Sequence, residues 1–348
     1  MSVKMGALNV IGKESDLQWN EILEKFEDKD IYFFYEYFKS TLFLNEGEPL
    51  LFFFENSDGK VAYPVIKRKI MNKNGLKLYD ITTPYGYGGP LISAVDDEEK
   101  LMQQFRESFN EYCQDHSIVS EFVRFHPLLK NHAHLTEEMH VMHIGHTVGI
   151  DLQQGEDLLA QMPGKTRNMI RKAEKNGIEV RELDKEKYLE EFISIYYSTM
   201  DRKAAADYYY FSMDYFLESF KLLSSNSVLF GAFLEGKMIS STLILINDNF
   251  MHYHLSGGLT EYQSLGATNL LLFKIAEWGK ERGIRMFHLG GGYSSKKDSL
   301  YDFKKSLSNI HPLKYYVGKK IHHPVLYNML VAEKGIKEDS GFFPLYRS

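Results

Sequence analysis

MHYHLSGGLTEYQSLGATNLLLFKIAEWGKERGIRMFHLGGGYSSKKDSLYDFKKS, Met251 to Ser306, decides how the rest of the chain is read. Its opening predicts a strand that runs into Gly257-Gly258. A glycine-containing turn follows, then an amphipathic helix whose broad apolar face holds Leu270, Leu271, Phe273, Ile275 and Trp278. Gly283 is a natural stop for that helix. A second strand runs to the triplet Gly290-Gly291-Gly292, and a charged segment ends in Phe303-Lys304. A strand that feeds a glycine turn and a helix N-terminus presents backbone N–H groups to phosphate or carbonyl oxygens.

The outline recurs earlier in the chain. LLFFFENSDGKVAYPVIKRKI reads as strand, turn at Asp58-Gly59-Lys60, strand; VLFGAFLEGKMISSTLILIND reads the same way, with its turn at Glu235-Gly236-Lys237. Each hairpin precedes a strand ending in glycines, ITTPYGYGGP or HYHLSGGL, then a helix, then a strand, SEFVRFHP or RMFHLGGG. The offset of roughly 160–180 residues is one domain's length, and 348 residues suit two such domains. The predicted division is 1–150 and 151–348. Between them, Pro163-Gly164 precedes a basic helix closed by Asn176-Gly177, then a short strand IEVRELD and helices at Leu189–Thr199 and Met213–Leu223. The apolar run Ile31 to Leu44 predicts a buried or groove-lining helix, because Glu36 and Lys39 interrupt it.

Composition narrows the class. With 41 Lys and Arg against 47 Asp and Glu, the net charge of −6 argues against a whole-surface nucleic-acid binder, and DNA is not an expected partner. The one cysteine, Cys113, excludes an intrachain disulfide framework and reads as structural. No stretch approaches about 18 uncharged apolar residues, and the N-terminus lacks a secretory pattern, so a cytoplasmic, at most membrane-proximal, protein is expected.

Several residues stand out as candidates for chemistry. Alternation along HYHLSGG puts His252, His254 and Ser256 on one face and Tyr253 and Leu255 on the other. A cleft-facing His254 could take a proton, and His288 is a further candidate. Arg167, Arg171 and Lys175 fall at i, i+4, i+8 on the basic helix, a stripe suited to phosphate. Tyr85, Tyr87 and Gly89 form a glycine-rich turn whose rings could stack on a sugar. Lys67, Arg68 and Lys69 read as a charged edge-strand device. The histidines at 132, 134, 140, 143 and 146 have no recognisable ligand spacing, so no metal site is assigned.

Four phrases in this order resemble the FemA/FemB/FemX group of the GNAT acyltransferase superfamily: PYGYGGP (84–90), RNMIRKAEKNGIEV (167–180), YYSTMDRK (196–203) and HLGGG…SLYDFKKS (288–306). The resemblance covers roughly residues 30 to 320. It implies an α+β fold of two tandem GNAT-like lobes with mixed central sheets and a shared cleft, without the helical-hairpin arm of FemA. It further implies an N-acyltransferase acting on an amine of a nucleotide- or lipid-linked cell-envelope precursor such as a muropeptide. Aminoacyl-tRNA is the favoured donor and no bound cofactor is required. The alternative is an acyl-CoA or acyl-carrier thioester donor and an amino-sugar acceptor, and a second alternative is a non-catalytic sugar- or peptide-binding protein. Against CoA, the Q/R-x-x-G-x-G/A loop of CoA users reads Gln263-Ser264-Leu265-Gly266-Ala267-Thr268, with a β-branched residue at its last position. The resemblance assigns Phe303 to donor positioning and Lys304 to charge stabilisation. His254 joins them as a catalytic candidate. Arg167, Arg171, Asp201 and Arg202 would face the acceptor or an RNA backbone, and Tyr253, Ser256 and Gly291 would complete the substrate-binding set.

Overall fold

The computed structural model describes residues 7–12, 16–42, 47–155, 157–336 and 341–348. Its strands in the first half are β1 (Ala7–Ile11), β2 (Glu48–Asn56), β3 (Gly59–Ile70), β4 (Leu78–Thr82), β5 (Leu91–Ala94), β6 (Ile118–Arg124) and β7 (His140–Asp151). They continue with β8 (Glu179–Leu183), β9 (Ser227–Leu234), β10 (Lys237–Ile246), β11 (Phe250–Gly258), β12 (Met286–Gly290) and β13 (Leu313–Ile321). The chain forms two compact units, Met1–Ile144 with Tyr315–Ser348, and Gly145–Lys314.

In the first unit the sheet order is β1-β2-β3-β4-β6-β13, with β5 also on β3. All neighbours are antiparallel except the parallel pair β4 and β6. Helix Glu98–Asp115 lays Leu101, Met102, Phe105, Phe109 and Cys113 on the sheet, where Phe52, Tyr63 and Val123 meet them. The second unit repeats the pattern as β8-β9-β10-β11-β12-β7, with β11 and β12 the one parallel pair. Helix Ala267–Glu281 is its counterpart of Glu98–Asp115, burying Leu270, Leu271, Leu272 and Ile275 against Ile150, Phe230, Ile244 and Met251. A mixed sheet with its helix on an apolar face is the α+β architecture expected from the repeat.

The structure departs from the sequence reading in four places. The boundary is not a cut at 150: Tyr315–Ser348 belongs to the first unit, because Val317–Ile321 of β13 pairs with Ser120–Arg124 of β6. The strand carrying Lys67, Arg68 and Lys69 is not an edge, since β3 is paired to both β2 and β4. Arg68 instead meets Asp80 at 2.8 Å, and the Lys67 ammonium lies 4.3 Å from the centre of the Tyr79 ring. The run from Ile31 is not one helix. A 3-10 turn over Ile31–Phe33 and a helix over Tyr35–Thr41 meet at an extended Phe34, while Phe43 and Leu44 lie outside the described residues. The fourth departure is a bulge in β11, taken up with the site it shapes. Among the described residues no helix is long and apolar enough to cross a membrane.

Candidate active site in the second unit

The backbone opens the site. β11 and β12 pair in parallel only over Phe250–His252 and Met286–His288. Beyond these residues β11 continues on β10 alone, while Gly290 of β12 pairs with Val148 of β7. Two parallel strands that part leave a wedge floored by backbone groups. At its base the buried His252 and His288 face each other, Nδ1 to Nδ1 at 3.3 Å.

A groove of about 340 Å³ lies along β11 where it has left β12. Tyr253, Ser256, Gly257 and Gly258 line it from the strand, Thr199 and Arg202 from helix Leu189–Arg202, and Phe303 from helix Ser299–Lys305. Ser240 of β10, Tyr262 and Gln263, and the first turn of helix Ala267–Glu281 add further walls. That helix starts at Gly266, whose φ of +80° favours glycine, and no side chain caps it. The first-unit counterpart differs. There the Asp97 carboxylate caps the helix through the Lys100 N–H at 3.0 Å, and Glu98 and Glu99 follow. The positive end of the helix is thus neutralised in the first unit and open in the second. Close packing requires Gly257: a Cβ there would run into the Ile195 carbonyl of the helix behind it.

The bulge revises the predicted faces of β11. Leu255 lies opposite Leu243 and Tyr253 opposite Ile244, so His254 is an extra residue between two paired positions. Alternation breaks there, and Tyr253 and Ser256 come to one side with their hydroxyls hydrogen-bonded to each other. Both line the groove, whereas His254 is not among its lining residues. Burial, reinforced by His252, pushes the His254 imidazole down to about 3. A group that protonates near pH 3 is neutral and weakly basic at pH 7.

Lys304 is buried, which is unusual for a lysine. It lies in a helix capped at its start by Asp298, whose carboxylate accepts from the Tyr301 and Tyr293 N–H groups, each at 2.8 Å. The ammonium donates to the Gly291 carbonyl at 2.7 Å and lies 5.6 Å from the centre of the Tyr253 ring. Burial lowers its pKa to about 7, Lys203 adds to the lowering, and Asp298 opposes it. The positive φ of Gly290, +75°, bends the chain so that Gly291 meets that nitrogen. The glycine triplet therefore shapes a seat for a lysine poised between charged and neutral.

The other candidates fall in three places. Arg202 reaches the groove and donates to the Gly258 carbonyl at 2.9 Å and the Thr260 hydroxyl at 3.0 Å, while Asp201 accepts from Tyr210 at 2.8 Å on the exposed side. Arg167 is turned back onto its own chain, donating to Ala160 O and Met162 O at 3.2 and 2.9 Å, and Arg171 is exposed. Lys172 of the same basic helix donates to Ser264 O at 2.8 Å, in the 3-10 turn Thr260–Leu265 that precedes the groove's helix. Tyr85, Tyr87 and Gly89 lie in the first unit. There Tyr85 O accepts from the Tyr37 hydroxyl at 2.6 Å, the Tyr87 ring packs on Tyr32, His126 and Tyr315, and Gly89 abuts Asn131. Sequence reasoning missed Thr199, Lys203, Ser240 and Thr268, all of which line the groove. Thr199 and Lys203 sit inside the quoted phrase YYSTMDRK, so that phrase was the available signal.

Comparison with known proteins agrees with this fold. Residues 164–305 match the model of the acetyltransferase (GNAT) domain. Over 224 residues the chain is 24% identical to a UDP-N-acetylmuramoylpentapeptide-lysine N(6)-alanyltransferase of Weissella viridescens. That match covers 60% of this chain and 65% of the curated relative's length. The crystal structure of FemX superposes with a TM-score of 0.70 at 14% identity, over 92% of this chain and 99% of that one. A tandem GNAT protein from the clavulanic acid biosynthesis pathway gives 0.50 at 10% identity, over 91% and 99%. The molecule is thus a tandem GNAT-fold protein with a GNAT domain in its second unit. In sequence it is similar to the alanyltransferase, and in fold to FemX.

Proposed function

We propose that this protein is an N-acyltransferase that moves an aminoacyl group onto an amine of a nucleotide-linked cell-envelope precursor, with the transfer centred on Lys304. The observation that carries the reading is a buried cation beside the groove, held by the Gly291 carbonyl near its own titration point. When an amine attacks an acyl ester, a C–N bond forms, the C–O bond to the leaving hydroxyl breaks, and negative charge collects on the carbonyl oxygen between these events. An ammonium has three N–H groups, and one of those on Lys304 is committed to Gly291. The others are available to a developing oxyanion, where a dry cation is worth far more than in water. The alanyltransferase relative supports the aminoacyl group and the nucleotide-linked acceptor.

The donor in this reading is aminoacyl-tRNA. A second reading, a CoA thioester, draws on the open helix N-terminus at Gly266, which suits a phosphate. Thermal shift separates them, since a ligand that binds the folded state raises the melting temperature. The expected result is a shift with a UDP-linked muramoyl pentapeptide and none with acetyl-CoA. A shift with acetyl-CoA and none with the peptide would contradict the reading.

A further inference from the structure

The first unit contains a pocket of about 330 Å³ that the transfer chemistry does not use. Its floor is one face of the sheet. Thr82 of β4 lies opposite Phe122 of β6, Phe122 opposite Lys319 of β13, and Arg124 opposite Val317. Residues directly opposite share a face, so Phe122, Arg124 and Lys319 point the same way. Arg68 enters from β3, and Phe343 and Arg347 form a wall.

Four cations line this pocket, and one carboxylate answers two of them. Buried Asp80 accepts from Arg68 at 2.8 Å and from Arg347 at 2.5 Å. Arg124 and Lys319 have no carboxylate within ion-pair distance among the described residues; each lies instead over a ring, Phe122 at 4.9 Å and Phe343 at 5.7 Å. They are diagonal neighbours across β6 and β13, a relation that puts Cβ atoms roughly 7–8 Å apart. At that spacing two long cationic side chains repel each other or converge on a shared anion. Guanidinium favours the tetrahedral oxygens of a phosphate, and the phenylalanines offer a flat apolar surface to whatever carries it.

We propose that this pocket binds an organic phosphate, with the phosphoryl group between Arg124 and Lys319 and the body of the ligand against Phe122, Phe343 and Met142. A nucleoside phosphate and a phospholipid share this chemistry, so the test uses both. Equilibrium dialysis of the full chain would compare UMP, a short-chain phosphatidylglycerol and inorganic phosphate. The expected result is that one of the two organic phosphates binds more tightly than inorganic phosphate, which also identifies the source. Arg124→Gln and Lys319→Gln should each weaken that binding about tenfold or more, as expected for a lost charged hydrogen bond. Melting without ligand verifies folding, and Lys319→Gln, on a half-buried side chain, carries the test if Arg124→Gln fails to fold. Lys304→Met should leave this binding unchanged. Absence of organic-phosphate binding, or binding indifferent to both pocket variants, would overturn the proposal.

Discussion

Lys304 sits where a lysine destabilises the fold. Its folded pKa of about 7 lies below the ordinary 10.5, so between these values the unfolded chain holds the proton more firmly. The stability contribution is therefore present above about 10.5 and lost as pH falls through about 7. Lys304→Met should accordingly melt higher than the parent at pH 6, by about 3 °C or more, with the gain shrinking towards pH 10; differential scanning calorimetry reads this directly. The same variant should lose about 10²-fold or more in turnover, the usual cost of removing an oxyanion partner. In the proposed role the charged form is the useful one, so the Lys304-dependent contribution to kcat/KM should decline as pH rises through about 7. His254 offers a contrast at this scale. Already neutral above about pH 3, it cannot supply a limb near pH 6, so His254→Gln should leave the pH–rate profile unchanged in shape. Steady-state rates between pH 5 and 9 would show it, and a lost acidic limb would return His254 to the role of base.

Elements decide which residues can meet. The hairpins, the two long helices and the Gly283 stop of the second were legible in the sequence because each rests on local periodicity and turn chemistry. The bulge at His254 was not legible, since alternation carries no sign of an inserted residue until the partner strand's register is known. It matters chemically, because it turns Tyr253 and Ser256 together into the groove. The αL start of helix Ala267–Glu281 was legible as a glycine, but not its crowding. A Cβ on Gly266 would come within 2.6 Å of the Met169 carbonyl. Gly266→Ala should therefore cost about 1–2 kcal/mol from its dihedral alone, more from the contact, and weaken ligand binding in the groove. Chemical denaturation and ligand-induced melting shifts measure the two effects. Asp298→Ala should cost about 1 kcal/mol as a lost cap. It should also lower the Lys304 titration further, because Asp298 is the carboxylate that raises it.

At the scale of the molecule, the repeat was legible and the closing strands were not. β7 and β13 pair with partners far away in sequence: Val317–Ile321 of β13 with Ser120–Arg124, and Val148–Asp151 of β7 with Met286–Gly290. Neither strand carries the apolar run that marks β2 or β10, and no local pattern reports partners this distant in the sequence. The consequence for dissection is concrete. A fragment ending at residue 150 leaves the edge of β6 unpaired and takes Tyr327, Leu330 and Tyr346 away from Ile70, Leu78 and Val119. It should be insoluble or molten, whereas the same fragment co-expressed with residues 315–348 should fold; circular dichroism and melting distinguish them. The proposed activity is transfer of an aminoacyl group to an envelope precursor through Lys304. The direct measurement incubates purified protein with alanyl-tRNA and a UDP-linked muramoyl pentapeptide and weighs the products by mass spectrometry. The account expects the peptide to gain one alanyl residue with the parent chain and about 10²-fold less with Lys304→Met. No mass gain with any charged tRNA, or equal gain from the variant, would contradict it.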